Sequence, residues 1–244
     1  MAILVHHEPA LSATQWNMHV WQTAWDGNNE WDRPGTANGA VIDFQFPDVA
    51  DPRPLQFLFE ATAPATVWEP SDFIRRLSQI APVEVWTFDS STRVLYQNPY
   101  PAGVVFNAGD VLTFQVITQH AFAGGQLYAW TPYSSTVQPV CFPETARDSV
   151  NGVSTFTVVL QPWMTQGFNL KLMQPASVNN PAAWEPNSSN RVWRPCDGAS
   201  LWLKSGQPDV RSAPLTLTAA PLAVLYSASL PSAPQLTLTD WVEQ

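Results

Sequence analysis

The most constraining feature of this sequence is a rhythm of short apolar runs, separated by proline, glycine, asparagine and aspartate. Runs rich in Val, Phe, Leu, Trp and Thr are typical of β-strands, and the intervening residues are typical of turns. The candidate strands are residues 2–7, 16–21, 40–46, 55–60, 83–88, 93–96, 111–117, 126–130, 153–160, 168–173, 199–203 and 214–217. The best helical candidate, residues 71–77, is too short to change the class. The rhythm therefore predicts an all-β fold.

The second feature is an internal repeat. The segment W-E-P-S at 68–71 recurs as W-E-P-N at 184–187, and in both halves another tryptophan follows 18 residues after the first. Upstream, residues 16–21 correspond to 125–130 and residues 39–44 to 152–157, in the same order. Such a repeat indicates copies of one structural unit. The predicted organisation is one β-sandwich at residues 1–100, a second at 104–230, and a C-terminal extension or linker at 231–244.

Composition excludes several classes of partner. The chain has 11 Lys plus Arg against 20 Asp plus Glu and a net charge of -9. No basic surface is therefore expected for nucleic acid or for an anionic membrane. A signal segment and a long apolar run are also missing from the sequence, and we interpret the chain as a secreted or cell-surface region whose signal peptide was removed.

The sequence gives no indication of a cofactor. Cys141 and Cys196 lie 55 residues apart without a C-x-x-C pair, so zinc is not indicated, and a disulfide between them stays open. His6 and His7, with His19 or His120, offer metal-binding nitrogens. Adjacent strand residues point to opposite faces, however, so a structural role for these histidines is favoured.

Tryptophan is unusually abundant, with 12 residues, and strand alternation places several aromatic rings on outer faces. In 16–21, Met18 and Val20 are predicted to point inwards. The residues predicted to point outwards are Asn17, His19 and Trp21 in the first half, and Gln126, Tyr128 and Trp130 in the second. Two rings on one exposed strand form a shelf on which a sugar ring can stack. The alternative is that Trp21 and Trp130 are core residues.

The W-E-P segments lie in polar stretches that are typical of loops. Trp68 and Trp184 are therefore candidates for a third ring in each half. The candidate acceptors for sugar hydroxyls are Glu69 and Asp72 in the first half and Glu185 and Asn187 in the second.

Catalytic motifs are missing from the sequence, including G-x-S-x-G, H-E-x-x-H and a glycine-rich phosphate loop. A pair of carboxylates for glycoside cleavage stays possible among 20 acidic residues. Glu69 and Glu185 are duplicated with the repeat, however, as binding residues would be. We therefore predict a protein that is not an enzyme.

Residues 3–99 resemble the α-glucan-binding carbohydrate-binding modules that precede the catalytic domain of bacterial pullulanases and related amylolytic enzymes. The resemblance rests on I-L-V-H-H-E-P, W-N-M-H-V-W, L-Q-F-L-F-E, W-E-P-S-D-F-I, V-E-V-W-T-F and L-Y-Q-N-P, in this order. Residues 111–226 fit more loosely, with L-Y-A-W as their ring pair. No single segment is diagnostic, and the order and spacing carry the match.

The resemblance implies tandem immunoglobulin-like sandwiches that bind α-1,4-linked glucans through two rings on the shelf strand. The rings carry over as Trp21 in the first half and as Tyr128 with Trp130 in the second. His19 departs from the usual Trp, so the first site is either weaker or uses Trp16, Trp25 or Trp68 instead. The Lys and Asp that the family often places after the loop Trp have no clear counterpart here.

The sequence thus predicts a non-catalytic tandem that binds starch-type polysaccharides and maltooligosaccharides. Its expected partner is a covalently linked amylolytic catalytic domain, which the tandem would target to the polymer. The alternatives are a structural or adhesion sandwich pair without a sugar site and a glycoside-active domain.

Overall fold

The computed structural model describes residues 2–8, 15–21, 30–34, 41–45, 55–63, 65–77, 84–118, 122, 124–177 and 182–212. Residues Met1–Pro214 belong to one compact unit. Below, residues 2–100 are called the first half and residues 104–212 the second half. The candidate strand at 214–217, the predicted boundary at 230 and the predicted extension at 231–244 lie outside the described residues.

Regular structure in the described chain consists of short β-strands and single turns of 3-10 helix. The strands are β1 Ala2–Glu8, β2 Gln15–Trp21, β3 Glu30–Pro34, β4 Val41–Gln45, β5 Leu55–Ala63, β6 Val67–Trp68, β7 Arg75–Leu77, β8 Glu84–Phe88, β9 Val94–Leu95, β10 Val111–Ile117, β11 Gln126–Trp130, β12 Val140–Asp148, β13 Val153–Val159, β14 Phe168–Gln174, β15 Ala183–Trp184, β16 Arg191–Trp193 and β17 Ser200–Lys204. The 3-10 turns are Ser71–Phe73, Pro162–Met164, Asn187–Ser189 and Pro195–Asp197. The predicted all-β sandwich fold is confirmed. Within the described residues, no helix has the length and apolar character needed to cross a membrane.

The first half contains two sheets, with strand orders β4-β1-β8-β9 and β3-β2-β5-β6, and β7 also pairs with β5. Alternate residues of both sheets meet in one core, because strand side chains point to opposite faces in turn. Val5 and Val85 enter that core from one sheet, and Met18, Val20 and Phe57 enter it from the other. The inward positions of Met18 and Val20 are as predicted.

In the second half, the strands form one continuous sheet that folds over its own core. The strand order is β15-β14-β11-β12-β13-β10-β17, with β16 also paired to β14. Strand β12 forms the corner, since its first part pairs with β11 and its last part pairs with β13, and its register shifts between Glu144 and Ala146. Such irregularities bend a strand and let it serve both layers of a sandwich. Phe114, Leu127 and Phe156 lie in the core.

Strand pairing in the two halves is alike. Strand β1 lies between antiparallel β4 and parallel β8, and β10 lies between antiparallel β13 and parallel β17. Strand β2 pairs with β3 and β5, as β11 pairs with β12 and β14. The repeated sequence segments therefore lie on strands with corresponding partners. The W-E-P segments in particular begin on β6 and β15.

The two halves contact each other along a surface that we call the seam. Arg93 of the first half donates two hydrogen bonds to the Asp197 carboxylate, at 2.8 and 2.5 Å. Arg194 of the second half donates to Glu8 Oε2 at 3.0 Å and lies over the Phe88 ring. Both arginines are buried. The seam therefore combines paired charges with apolar contact.

Candidate functional site

The second half carries a cluster of three partly exposed aromatic rings. Tyr128 and Trp130 lie two residues apart on β11, with ring centroids 5.6 Å apart and planes tilted by 37°. Trp184 of β15 meets Tyr128 edge-on, at 5.0 Å between centroids and 89° between planes. Trp184 is 43% exposed. We call these residues the 128–184 cluster; the sequence predicted Tyr128 and Trp130 as outward-facing strand residues and Trp184 as a candidate ring on a loop.

Two polar side chains border the same cluster. Lys171 pairs with Tyr128 in the register of β14 and β11, and its ammonium lies 5.1 Å from the Trp184 ring centroid. It donates a hydrogen bond to Asn187 Oδ1 at 3.2 Å. Burial lowers the pKa of Lys171 below its ordinary value, and the charge of Glu185 opposes this shift only in part. Tyr128, Lys171, Trp184 and Asn187 line a shallow depression of about 580 Å³.

The first half contains the same constellation of rings. His19 lies 5.7 Å from Trp21, with planes tilted by 39°, and 5.1 Å from Trp68 at 84°. The burial is different, because Trp21 is 2% exposed and packs with Leu58 and Phe73, while His19 is 8% exposed. The expectation that His19 and Trp21 form an open shelf is therefore wrong. Strand alternation placed them correctly opposite Met18 and Val20, but other side chains cover that face. Trp68 is 41% exposed.

The glutamates of the two W-E-P segments form buried ion pairs. Glu185 accepts hydrogen bonds from Arg191 Nη1 at 2.7 Å and Nη2 at 3.0 Å, and from the amides of Leu172 and Gly206. Burial raises the pKa of Glu185, but Arg191 and the two amides outweigh it and hold the pKa below its ordinary value. Glu69 is bound in the same way.

In the first half, Arg75 donates to both Glu69 oxygens, at 2.6 and 2.9 Å, and the amide of Phe59 donates to Glu69 Oε2. On sequence grounds, Glu69 and Glu185 are candidate hydrogen-bond acceptors for sugar hydroxyls. That assignment needs correction, because these oxygens already hold the W-E-P segment to the sheet.

The remaining candidates lie at the margins of the two ring clusters. Asn17 donates to Glu60 Oε1 at 3.0 Å, and Glu60 lies opposite Trp68 in the strand register. Gln126 is partly exposed on β11, and Asp72 is exposed on the turn Ser71–Phe73. Of the rings that could replace His19 in the first half, Trp16 is buried in the core. Trp25 lies outside the described residues.

The described histidines have structural contacts. His7 stacks on Phe59 at 3.5 Å between centroids and hydrogen-bonds Thr87. Burial and then the charge of Arg75 hold the pKa of His7 well below its usual range. His6, on the opposite face, stacks on Trp86 and hydrogen-bonds Glu84. His120 lies outside the described residues.

One group of possible metal-binding atoms occurs within the described chain, formed by His7, Glu69 and Asp89. Burial, followed by the charge of Glu69, raises the pKa of Asp89 to about 6. The guanidinium of Arg75 already neutralises Glu69 there. We therefore assign this group to the structural network around Arg75. The thiols of Cys141 and Cys196 are both free.

Sequence reasoning missed Lys171 and the arginine partners of the glutamates. Arg75 and Arg191 both lie six residues after their glutamates, so the repeat itself carried that signal. Lys171 stands between Leu170 and Leu172 in an apolar strand, and alternation places it on the outer face. An isolated cation in such a strand was therefore the available signal for a site residue.

No protein-family profile and no curated protein matches the chain. Among solved structures, the family CBM26 module CBMbc of Eubacterium rectale Amy13K, in complex with maltoheptaose, has a TM-score of 0.27 and 11% identity, covering 86% of this chain and 95% of that chain. A proposed adhesin from Bacteroides ovatus has a TM-score of 0.23 and 9% identity, with coverage of 85% and 93%. At these scores, function has to be argued from the geometry of the site.

Proposed function

We propose that this protein binds α-1,4-linked glucans at the 128–184 cluster. The observation that carries the proposal is an open depression lined by Tyr128, Trp184, Lys171 and Asn187, with the Trp130 ring beside Tyr128. Aromatic faces accept the C–H surface of a pyranose and release water from both partners. The Lys171 ammonium and the Asn187 amide then bind the sugar hydroxyls, which stacking on the rings does not distinguish.

The chemistry of this depression favours binding over cleavage. Glycoside hydrolysis normally uses two carboxyl groups on either side of the scissile bond. Among the described residues that line the depression, Glu185 is the sole carboxylate, and Arg191 and two backbone amides engage it. Each oxygen of Glu185 accepts two hydrogen bonds and the residue is 2% exposed, which leaves no free oxygen to act on a bound sugar. The proposal is therefore for a non-catalytic module.

The wider proposal follows the sequence analysis. The chain would be a tandem of immunoglobulin-like modules that targets a covalently linked amylolytic domain to starch, glycogen or pullulan outside the cell. The repeated W-E-P segments and the matching strand pairing support it. The second half would be the principal binding module, because the corresponding rings His19 and Trp21 of the first half are covered.

Calorimetric titration with maltotriose tests the proposal. Trp184→Ala removes one exposed ring of the cluster, and its matched control is Trp68→Ala, which removes an equally exposed ring from the corresponding loop of the first half. We expect Trp184→Ala to weaken maltotriose binding at least about tenfold, by analogy with stacking energies of about 1–3 kcal/mol per ring. Trp68→Ala should bind within twofold of the parent, about 0.4 kcal/mol.

Three results would contradict the proposal. Equal losses of maltotriose affinity in both variants would show that the second half is not the principal binding module. A parent that neither binds maltotriose nor is retarded in amylopectin gels would favour the structural or adhesion alternative, whereas falling amylopectin viscosity would favour the glycoside-active one.

A further inference from the structure

A second depression lies at the seam, between the two halves of the described chain. Its volume is about 590 Å³. Asp72, Arg76 and Tyr96 line it from the first half, and Ser188 and Asp209 line it from the second. We call it the seam groove. Residues of both halves form this groove, whereas residues of the second half alone form the depression at Trp184.

The seam groove is adjacent to the 128–184 cluster. Asn187 lines the depression at Trp184, and the next residue, Ser188, lines the seam groove. The turn Asn187–Ser189 also contacts the turn Ser71–Phe73, which follows the W-E-P segment of the first half. Thr92 of the first half fixes this approach by donating to the Ser188 carbonyl at 3.2 Å. The turn Asn187–Ser189 therefore separates the two depressions, and a ligand that crosses this turn from the cluster enters the groove.

The groove continues beyond its first set of lining residues. A smaller depression of about 360 Å³ shares Val94, Tyr96 and Asp209 with it. Tyr96 and Asp209 thus lie where the two depressions meet. The two depressions together form a trough that is lined by Ser188 and by the Tyr96 ring.

The chemistry of the groove suits a neutral polyhydroxylated chain. Tyr96 is 51% exposed and offers the aromatic surface. Asp72, Asp209 and Arg76 are exposed, so the groove offers two carboxylate acceptors and one guanidinium donor. Mixed charges of this kind favour hydroxyl groups over a ligand with a single charge sign.

We infer that the seam groove binds the continuation of a glucan chain whose other sugars occupy the 128–184 cluster, with the Tyr96 ring as a stacking surface. This inference rests on the proposed function. It adds a consequence, namely that long glucans contact both halves at once. The docked arrangement of the halves would then belong to the binding site.

The test compares maltoheptaose with maltotriose by calorimetry on the full chain. Tyr96→Ala removes the ring, and the matched control Tyr96→Phe keeps the ring and removes the hydroxyl. We expect Tyr96→Ala to weaken maltoheptaose binding about fivefold or more and to leave maltotriose binding unchanged. Tyr96→Phe should bind maltoheptaose within about twofold of the parent. Thermal unfolding of both variants checks that the fold is kept.

The outcomes separate the inference from the proposed function. If Tyr96→Ala binds maltoheptaose like the parent while Trp184→Ala loses maltotriose, the function stands and the seam groove is not a sugar site. If Tyr96→Ala weakens both sugars equally, Tyr96 supports the cluster and the groove inference is wrong. If the parent binds neither sugar, the proposed function fails and the inference fails with it.

Discussion

Tryptophan side chains contribute to this protein in two different ways, according to how much of each ring meets water. Trp21 is 2% exposed and packs against Leu58 and Phe73, so its ring stabilises the fold. Trp130 stands at the corresponding position of β11, where its ring is partly exposed and the Lys171 ammonium lies 6.0 Å from its centroid. The same sequence position therefore has a structural role in one half and lies in the proposed binding site in the other.

This contrast predicts different effects of the same substitution. Trp21→Ala should lower the free energy of unfolding by about 3–5 kcal/mol, since it leaves a cavity between packed side chains. Trp130→Ala should cost clearly less than Trp21→Ala, because the Trp130 ring is partly exposed and is not part of a packed core cluster. Urea denaturation of both variants measures the difference. If the two variants lose stability equally, Trp130 belongs to the core and cannot be a free stacking surface.

At the scale of elements, the W-E-P segment is held in place by its glutamate. In both halves the carboxylate bridges an arginine of the following strand and an amide of the long central strand, β5 or β14. The exposed Trp precedes this anchor by one residue. The buried ion pair therefore orients the loop that carries the ring.

Glu185→Gln should destabilise the protein by about 3–5 kcal/mol at neutral pH, because Arg191 would keep an uncompensated buried charge. The folded-state pKa of Glu185 is depressed, so its contribution is complete above the ordinary value of 4.5 and is lost as pH falls through the folded pKa. Thermal unfolding between pH 3 and 7 should therefore show parent and variant converging in acid. Equal stability at pH 7 would contradict the anchoring role.

Strand alternation explains how much of the site could be predicted from the sequence. It correctly placed Met18 and Trp21 on opposite faces of β2, and Leu127 and Tyr128 on opposite faces of β11. This was possible because the period of two is a local property of a strand. It could not show that Leu58 and Phe73 cover Trp21, since that cover comes from distant parts of the chain. Lys171 was missed for the same reason, because its place beside Tyr128 depends on the register between β11 and β14.

At the scale of the whole molecule, the seam makes the two halves depend on each other. Beyond the pairs formed by Arg93 and Arg194, the side chains of Asn169 and Asn190 donate to the carbonyls of Asp89 and Ser90 across it. Such contacts fix the position of one half against the other, which the seam groove requires. They also couple the unfolding of the two halves.

We predict one calorimetric unfolding transition for the parent. Arg93→Met should lower the melting temperature and split or broaden that transition, because it leaves the Asp197 carboxylate buried without its bidentate partner. Arg211→Met is the control, since it removes an exposed pair with Asp209 and should change stability by about 0.5 kcal/mol or less. An unchanged transition in Arg93→Met would show that the pair between Arg93 and Asp197 does not couple the unfolding of the two halves.

A crystal structure of the protein with maltotetraose would show whether the 128–184 cluster binds an α-glucan. We expect sugar rings stacked on Tyr128 and Trp184, with hydroxyl groups within hydrogen-bond distance of Lys171 Nζ and Asn187. Maltotetraose bound only elsewhere, for instance against Trp68, or an empty cluster at a saturating sugar concentration, would contradict this expectation.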